Sequence, residues 1–241
     1  MLFNQNISIQ GNSENTALIV WPEQVCAKQH QTISHYQQLI KKQLGSFLLE
    51  TVSSYNSLLV YYRFELISYD QFSQHLLTIW QSLAAVDSLS SITAKRAIEI
   101  PVYYGSEAGW DLSYVSRLLA LSTDDIIALH ANTIYHAYTL GFTPGFCYLA
   151  ALNPSLKVAR RSTPRLKIPK GAVAIAEQQT AVYPSSSPAG WHIIGQTPTA
   201  MYDLSNNQFS PVITPGQQVI FRAIGYDQYQ ALGGIVTLDQ Q

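Results

Sequence analysis

Beyond Asn132 the chain is written in short strand-like runs, Tyr135–Leu140, Ala172–Ala176, His192–Gly195 and Gln218–Ile224, separated by turns rich in Gly and Pro. Short strands with turn signals at this spacing point to a closed barrel or a sandwich. The first hundred residues have another texture. Strands are expected near Ile7–Ile9 and Ala17–Val20, then a helix opened by Pro22 and carried by Val25, Ile33, Tyr36, Ile40 and Leu44. Two β-rich runs follow, Phe47–Val52 and Ser57–Phe64. Ser68 and Gln71 then form a capping-box pattern ahead of the stripe Phe72, Leu76, Ile79, Trp80, Leu83. A strand at Ile98–Tyr104 and two short helices, Leu112–Ala120 and Thr123–Ala131, lead into the β-rich half. The Ser-rich piece Asp87–Lys95 reads as the linker. The expected class is therefore α+β: a small α/β N-terminal domain over residues 1–90 and a β-domain over 91–241.

Composition excludes several function classes. Hydrophobic residues make up 47% and charged residues 12% of the chain, about half the usual charged share, which argues against disorder. The 15 acids nearly balance the 14 bases, so the whole chain has no polyelectrolyte character for nucleic acid or a membrane surface. The longest apolar run, Phe146–Leu152, is far short of a membrane span, and Met1–Gln10 lacks the basic start and apolar core of a signal peptide. Cys26 and Cys147 make no metal or disulfide pattern, and a reducing cytoplasm is the expected location.

The overall neutrality hides one asymmetry. No acid occurs between Asp125 and Glu177, and Lys157, Arg160, Arg161, Arg165, Lys167 and Lys170 crowd into that stretch. These are six of the 14 bases, leaving 8 bases against 15 acids, or −7, elsewhere. Such a focused positive field suits a carboxylate or phosphate, because guanidinium forks match planar oxyanions. The alternative is a solvated loop whose charges pair with acids from elsewhere in the fold.

Other chemistry is sparse. The six histidines form no zinc spacing. His30 and His35 sit among Gln and Lys and are expected to face solvent. His130 and His136 flank a strand entry, where either could serve as a base or simply be hydrogen-bonded. There is no nucleophile elbow and no Walker-type phosphate loop. Cys147 lies in an apolar setting that makes a thiol inert. The run Gly141-Phe142-Thr143-Pro144-Gly145-Phe146-Cys147-Tyr148-Leu149 is either the aromatic wall of a pocket or a tightly packed corner.

Taken in order, these pieces resemble one family. They are Ile100-Pro101-Val102-Tyr103-Tyr104-Gly105, His130, the Gly141–Leu149 run, Arg160-Arg161-Ser162-Thr163-Pro164-Arg165, Ile168-Pro169 with Gly171–Ala176, Gln179-Thr180 with Val182-Tyr183-Pro184, Ser187-Pro188 with Gly190-Trp191, and Ile194-Gly195 with Thr197-Pro198. The sequence is similar to the B subunit of bacterial 5-oxoprolinase, a carboxyltransferase-domain family also labelled allophanate hydrolase subunit 1 and KipI-like kinase inhibitor. The resemblance implies a cyclophilin-like β-barrel for the C-terminal domain. It also implies ATP-dependent opening of 5-oxoproline to glutamate, in a complex with the enzyme's C subunit, contacted directly, and its A subunit. ATP, with Mg2+, would be bound in that complex rather than by a phosphate loop here.

On that reading Arg161 and His130 are the candidate catalytic residues. Arg160, Arg165, Gln179 and Thr180 would hold substrate or phosphate, Phe142, Gly145, Phe146 and Tyr148 would wall the pocket, and no metal ligand is expected. The chain departs from the family pattern at Glu177, Ala181 and Ala189, where Gly is expected, at Gln196, where Arg is expected, and at Cys147, where Pro is expected. Gln196 removes a charge that could meet phosphate. The rival readings are an inhibitor of a sensor histidine kinase and a subunit of a urea- or allophanate-type amidohydrolase or carboxyltransferase.

Overall fold

A computed structural model describes residues 7–22, 26–85, 96–237 and 239. The chain divides into two compact units, Met1–Ala94 and Lys95–Gln241. The expected linker at Asp87–Lys95 lies outside the described residues, as does Val25.

In the first unit, β1 (Ser8–Ser13), β2 (Thr16–Val20), β3 (Leu48–Ser53) and β4 (Ser57–Tyr62) form an antiparallel sheet of order β1-β2-β4-β3. Helices α1 (Ala27–Leu44) and α2 (Tyr69–Ala85) share one core with it. Leu58, Val60 and Tyr62 alternate inward from β4 and meet Ile33, Tyr36 and Ile40 of α1 and Phe72, Leu76 and Ile79 of α2. The Ser68–Gln71 capping box forms as the pattern requires, with each partner's backbone N–H donating to the other's side chain at 3.3 Å. Helix α1 starts at Ala27, with Cys26 rather than Pro22 at its entry. His30 corrects an expectation. It is completely buried, because it lies three residues before Ile33 on the stripe that faces the sheet; polar neighbours in sequence did not report its side of the helix.

In the second unit, β5 (Ile98–Val102), α3 (Leu112–Leu119) and α4 (Thr123–Ala131) precede β6 (Ile134–Leu140) and β7 (Cys147–Ala150). Then come β8 (Arg165–Ile168), β9 (Ala172–Ala176), β10 (Gln179–Val182), β11 (Ser187–Ala189) and β12 (His192–Gln196). The chain ends with the two-residue pair β13 (Tyr202–Asp203) and β14 (Ser210–Pro211), then β15 (Gln218–Ala223) and α5 (Tyr226–Ala231). Seven strands order as β12-β9-β10-β7-β6-β15-β5, with only the β15–β5 pair parallel. The two edges then meet. Tyr103, just past β5, exchanges both backbone hydrogen bonds with Gln196 of β12, at 2.9 and 2.8 Å, so the sheet closes into a barrel.

Strand β9 is buried on both faces. Its Val173 and Ile175 join Ile100, Val102, Tyr135, Leu149, Val219 and Phe221 inside the barrel. Its alanines, 172, 174 and 176, face a second cluster outside the barrel, built on Phe146, Tyr183, Trp191 and Ile193. Small side chains on that face let the aromatic rings approach the sheet closely. The paired β8 and β11 and the basic segment run beside this outer layer. Cys147 is buried in the barrel core, and desolvation pushes its thiol up to about 12, so it is inert as expected.

Glu177 sits at the β9–β10 turn with φ of +52°. That left-handed conformation costs a residue with a Cβ about 1 kcal/mol or more. This is a physical reason for glycine at that position. Glu177→Gly is expected to raise stability by about 0.5–1 kcal/mol in urea denaturation, the relief exceeding the entropy glycine adds to the unfolded chain.

Candidate functional site

The polar centre of the second unit is Asp111, which the sequence offers only as the residue before α3. It occupies the N-cap position but caps nothing, because its oxygens are committed elsewhere. Arg161 donates to Oδ1 at 2.6 Å, and Arg165 donates through both terminal nitrogens, at 2.8 and 3.1 Å. The backbone N–H of Ile193 adds a fourth bond at 2.8 Å. Arg165 also grips Asp239, at 2.7 Å from Nη2, and lies over the Trp110 ring. Burial disfavours the Arg165 charge, but its bonds to Asp239 and Asp111 outweigh that and raise its pKa. Asp111 is only 2% exposed and Arg165 8%, so the pair is desolvated, and its geometry rather than bulk attraction decides its worth.

Next to this network opens a cleft of about 890 Å³. Arg161, Arg165, Lys167 and Lys170 line it together with Trp110, Gln196, Thr197, Tyr229, Gly233, Gly234, Ile235, Thr237 and Asp239. The basic run therefore divides. Arg161 and Arg165 pair with acids that sequence distance concealed, whereas Lys167 and Lys170 are exposed and make no ion pair among the described residues. Arg160 is exposed near Tyr183 and does not line the cleft.

The aromatic residues are brought together, though not in this cleft. Phe146 packs edge-on to Phe142, Tyr148, Tyr183 and Trp191 with ring centroids 4.9 to 5.9 Å apart. It is 2% exposed, whereas Phe142 is 60% exposed on the outside of the cluster. The turn needs Gly145, whose φ is +85° and where a Cβ would come within 2.8 Å of the Tyr202 ring. The Gly141–Leu149 run is thus a packed corner, and the pocket-wall expectation for Phe142, Gly145, Phe146 and Tyr148 is corrected.

His130 and Thr180 also sit elsewhere, inside the barrel, both 0% exposed. Thr180 Oγ1 donates to the Ala174 carbonyl at 3.1 Å, so it accepts from His130 Nε2 at 2.8 Å, and Tyr104 donates to Nδ1 at 2.7 Å. Both ring nitrogens are used, and Phe221 stacks on the ring. A role for His130 as a base is corrected for that reason. Gln179, half-buried on β10, does not line the cleft either.

Desolvation lowers His130 to about 3, so folding requires its neutral form. A histidine depressed in the folded state contributes stability that is full above its unfolded value near 6.5 and lost as pH falls toward the folded value. Between pH 6 and 4 the wild type should lose up to about 1.4 kcal/mol per pH unit more than a His130→Gln variant, measured by urea denaturation at each pH. Parallel pH profiles would contradict this.

Residues 7–212 match the family of the carboxyltransferase domain, subdomain C and D. The chain is 39% identical to the 5-oxoprolinase B subunit of Haemophilus influenzae over 69% of its length and 74% of the relative's. The chain belongs to the 5-oxoprolinase B-subunit family. The Bacillus subtilis protein of the same name is 42% identical over 57% of both chains. Among solved structures, TTHA0988 is similar at TM-score 0.75 and 30% identity, covering 87% of this chain and 40% of the other. The Kluyveromyces lactis urea amidolyase has the same fold at TM-score 0.78 and 13% identity, over 99% of this chain and 16% of that one. For this member of the 5-oxoprolinase B-subunit family, two of the ten expected site residues, Arg161 and Arg165, line the cleft. Trp110, Lys170 and Gln196 also line it, and Asp111, the acid that holds the two arginines, is the part sequence reasoning missed.

Proposed function

We propose that this chain is one component of an ATP-dependent 5-oxoprolinase that opens 5-oxo-L-proline to L-glutamate, working with the enzyme's C and A subunits. The observation that carries the reading is the convergence of Arg161 and Arg165 on one buried carboxylate at the wall of a cation-lined cleft, in a member of this family. Amide resonance makes the lactam unreactive, so catalysis needs its carbonyl activated and the resulting negative charge held. ATP supplies that activation when bound. The described residues include no cluster of three or more His, Cys, Asp or Glu able to hold a metal ion, and Arg161 and Arg165 are already paired. On this reading ATP, with Mg2+, binds in the assembled complex rather than in a phosphate loop of this chain.

This chain's own work is then positioning. Asp111 holds Arg165 in a two-pronged fork, a geometry lysine could not keep, and Arg161 by a single bond. Lys167 and Lys170 offer charge to the substrate carboxylate, and Trp110 supplies a ring at the wall. Leu166 at 91% and Ile235 at 76% exposed stand on the cleft lining and suit contact with the partner protein. Among the described residues no helix is long and apolar enough to cross a membrane. Both cysteines are free, which fits a reducing cytoplasm. The test is co-expression with candidate A and C subunits, measuring 5-oxoproline-dependent release of glutamate and ADP. Stoichiometric release that vanishes when this chain is omitted supports the reading. A stably assembled complex with no turnover overturns it and turns attention to inhibition of a sensor histidine kinase.

A further inference from the structure

Gln196 is held where the barrel closes. Its backbone exchanges two hydrogen bonds with Tyr103, and Gly195 beside it leaves no room for displacement, since a Cβ there would stand 2.8 Å from the Tyr103 carbonyl oxygen. The side chain is 5% exposed and lines the cleft. Its Nε2 donates to the Lys170 carbonyl at 2.8 Å, which fixes the amide's orientation and turns Oε1 the other way. That oxygen has no hydrogen-bond partner among the described residues. A buried acceptor left without a donor is costly, so a fixed one in the wall of a cleft is suited to a ligand that brings the donor. Thr197 is beside it on the same wall, its Oγ1 accepting from the Thr199 N–H at 3.1 Å and its own proton available to donate. Lys170, an exposed residue, lines the same cleft.

We propose that Gln196 is a specificity-determining residue of this cleft, its Oε1 accepting from the N–H of a cyclic amide acid while Lys170 and Lys167 meet the acid's carboxylate. A lactam presents its N–H and C=O on the same edge, so Oε1 can take the N–H as the Thr197 hydroxyl donates to the carbonyl. This deepens the oxoprolinase reading and rests on it for the choice of ligand. Gln196 has no part in bond breaking; it selects for a nitrogen in the ring.

The experiment compares two probes on the full chain: 5-oxo-L-proline and its lactone analogue 5-oxotetrahydrofuran-2-carboxylate, which differ only by N–H against ring oxygen. Titration calorimetry should give the lactam at least a tenfold tighter Kd, on the order expected when a buried acceptor must face a ring oxygen instead of a donor. Gln196→Met should bring the two affinities together. Lys170→Ala should weaken both by the same factor, because both probes carry the carboxylate. Equal binding of lactam and lactone by the wild type overturns the proposal without recourse to any variant, as does discrimination that survives Gln196→Met. If neither probe binds at up to about 10 mM, the proposal also falls. Turnover of 5-oxoproline by the assembled complex then separates the cases: with turnover the oxoprolinase reading stands and substrate binds elsewhere, and without it both fall.

Discussion

Asp111→Ala is expected to lower the unfolding free energy by about 3–5 kcal/mol, the cost of breaking a buried ion pair from one side. The substitution removes four hydrogen bonds and leaves Arg165, with 7% of its side chain exposed, dependent on Asp239 alone. It also frees the Ile193 N–H inside the protein. The value of the pair lies in its completeness, so removing both charges should hurt less than removing one. Asp111→Leu combined with Arg165→Met should therefore recover at least half of the loss in a double-mutant cycle by urea denaturation. A single-variant loss within the range of an exposed pair, below about 1 kcal/mol, would show that the network is solvated and not the organising centre of the site.

Phe146→Ala should cost a comparable amount, about 3–5 kcal/mol, and for a different reason. The ring fills the middle of the second cluster, against Tyr148, Tyr183 and Trp191, and its removal leaves a cavity that the rigid sheet beneath cannot collapse to fill. A ligand-lining ring would behave otherwise: truncation would leave stability within about 1 kcal/mol and raise KM. Thermal unfolding and kinetics on the same variant separate the two roles. A small stability change with a large KM effect would restore Phe146 to a binding role.

The fold was legible wherever local chemistry and tertiary context agree. Thr123–Ala131 starts at a Ser122–Asp125 capping box, and Ala172–Ala176 is a strand end to end, because capping and apolar runs are properties of a few neighbouring residues. The two-faced burial of β9 was not legible. An unbroken apolar run does not say what covers each face. His30 failed in the opposite direction, a polar residue carried inward by helical periodicity. In the site, the density of arginines was visible but their partners were not. Asp111 lies 50 residues from Arg161 and 54 from Arg165, and Asp239 lies 74 from Arg165. His130 and Thr180 are 50 residues apart and meet inside the barrel, where the same chemistry that would make a base makes a core hydrogen bond.

The most direct measurement is steady-state kinetics of the assembled complex carrying Arg161→Ala, an arginine with 23% of its side chain exposed and one bond to Asp111, whose loss the fold should survive. Loss of a fixed guanidinium facing a developing negative charge should lower kcat/KM for 5-oxoproline by roughly 100-fold or more, with the complex still assembled and unfolding cooperatively. Turnover equal to wild type from that same complex would contradict the central claim, placing the chemistry outside the cleft that Asp111 organises.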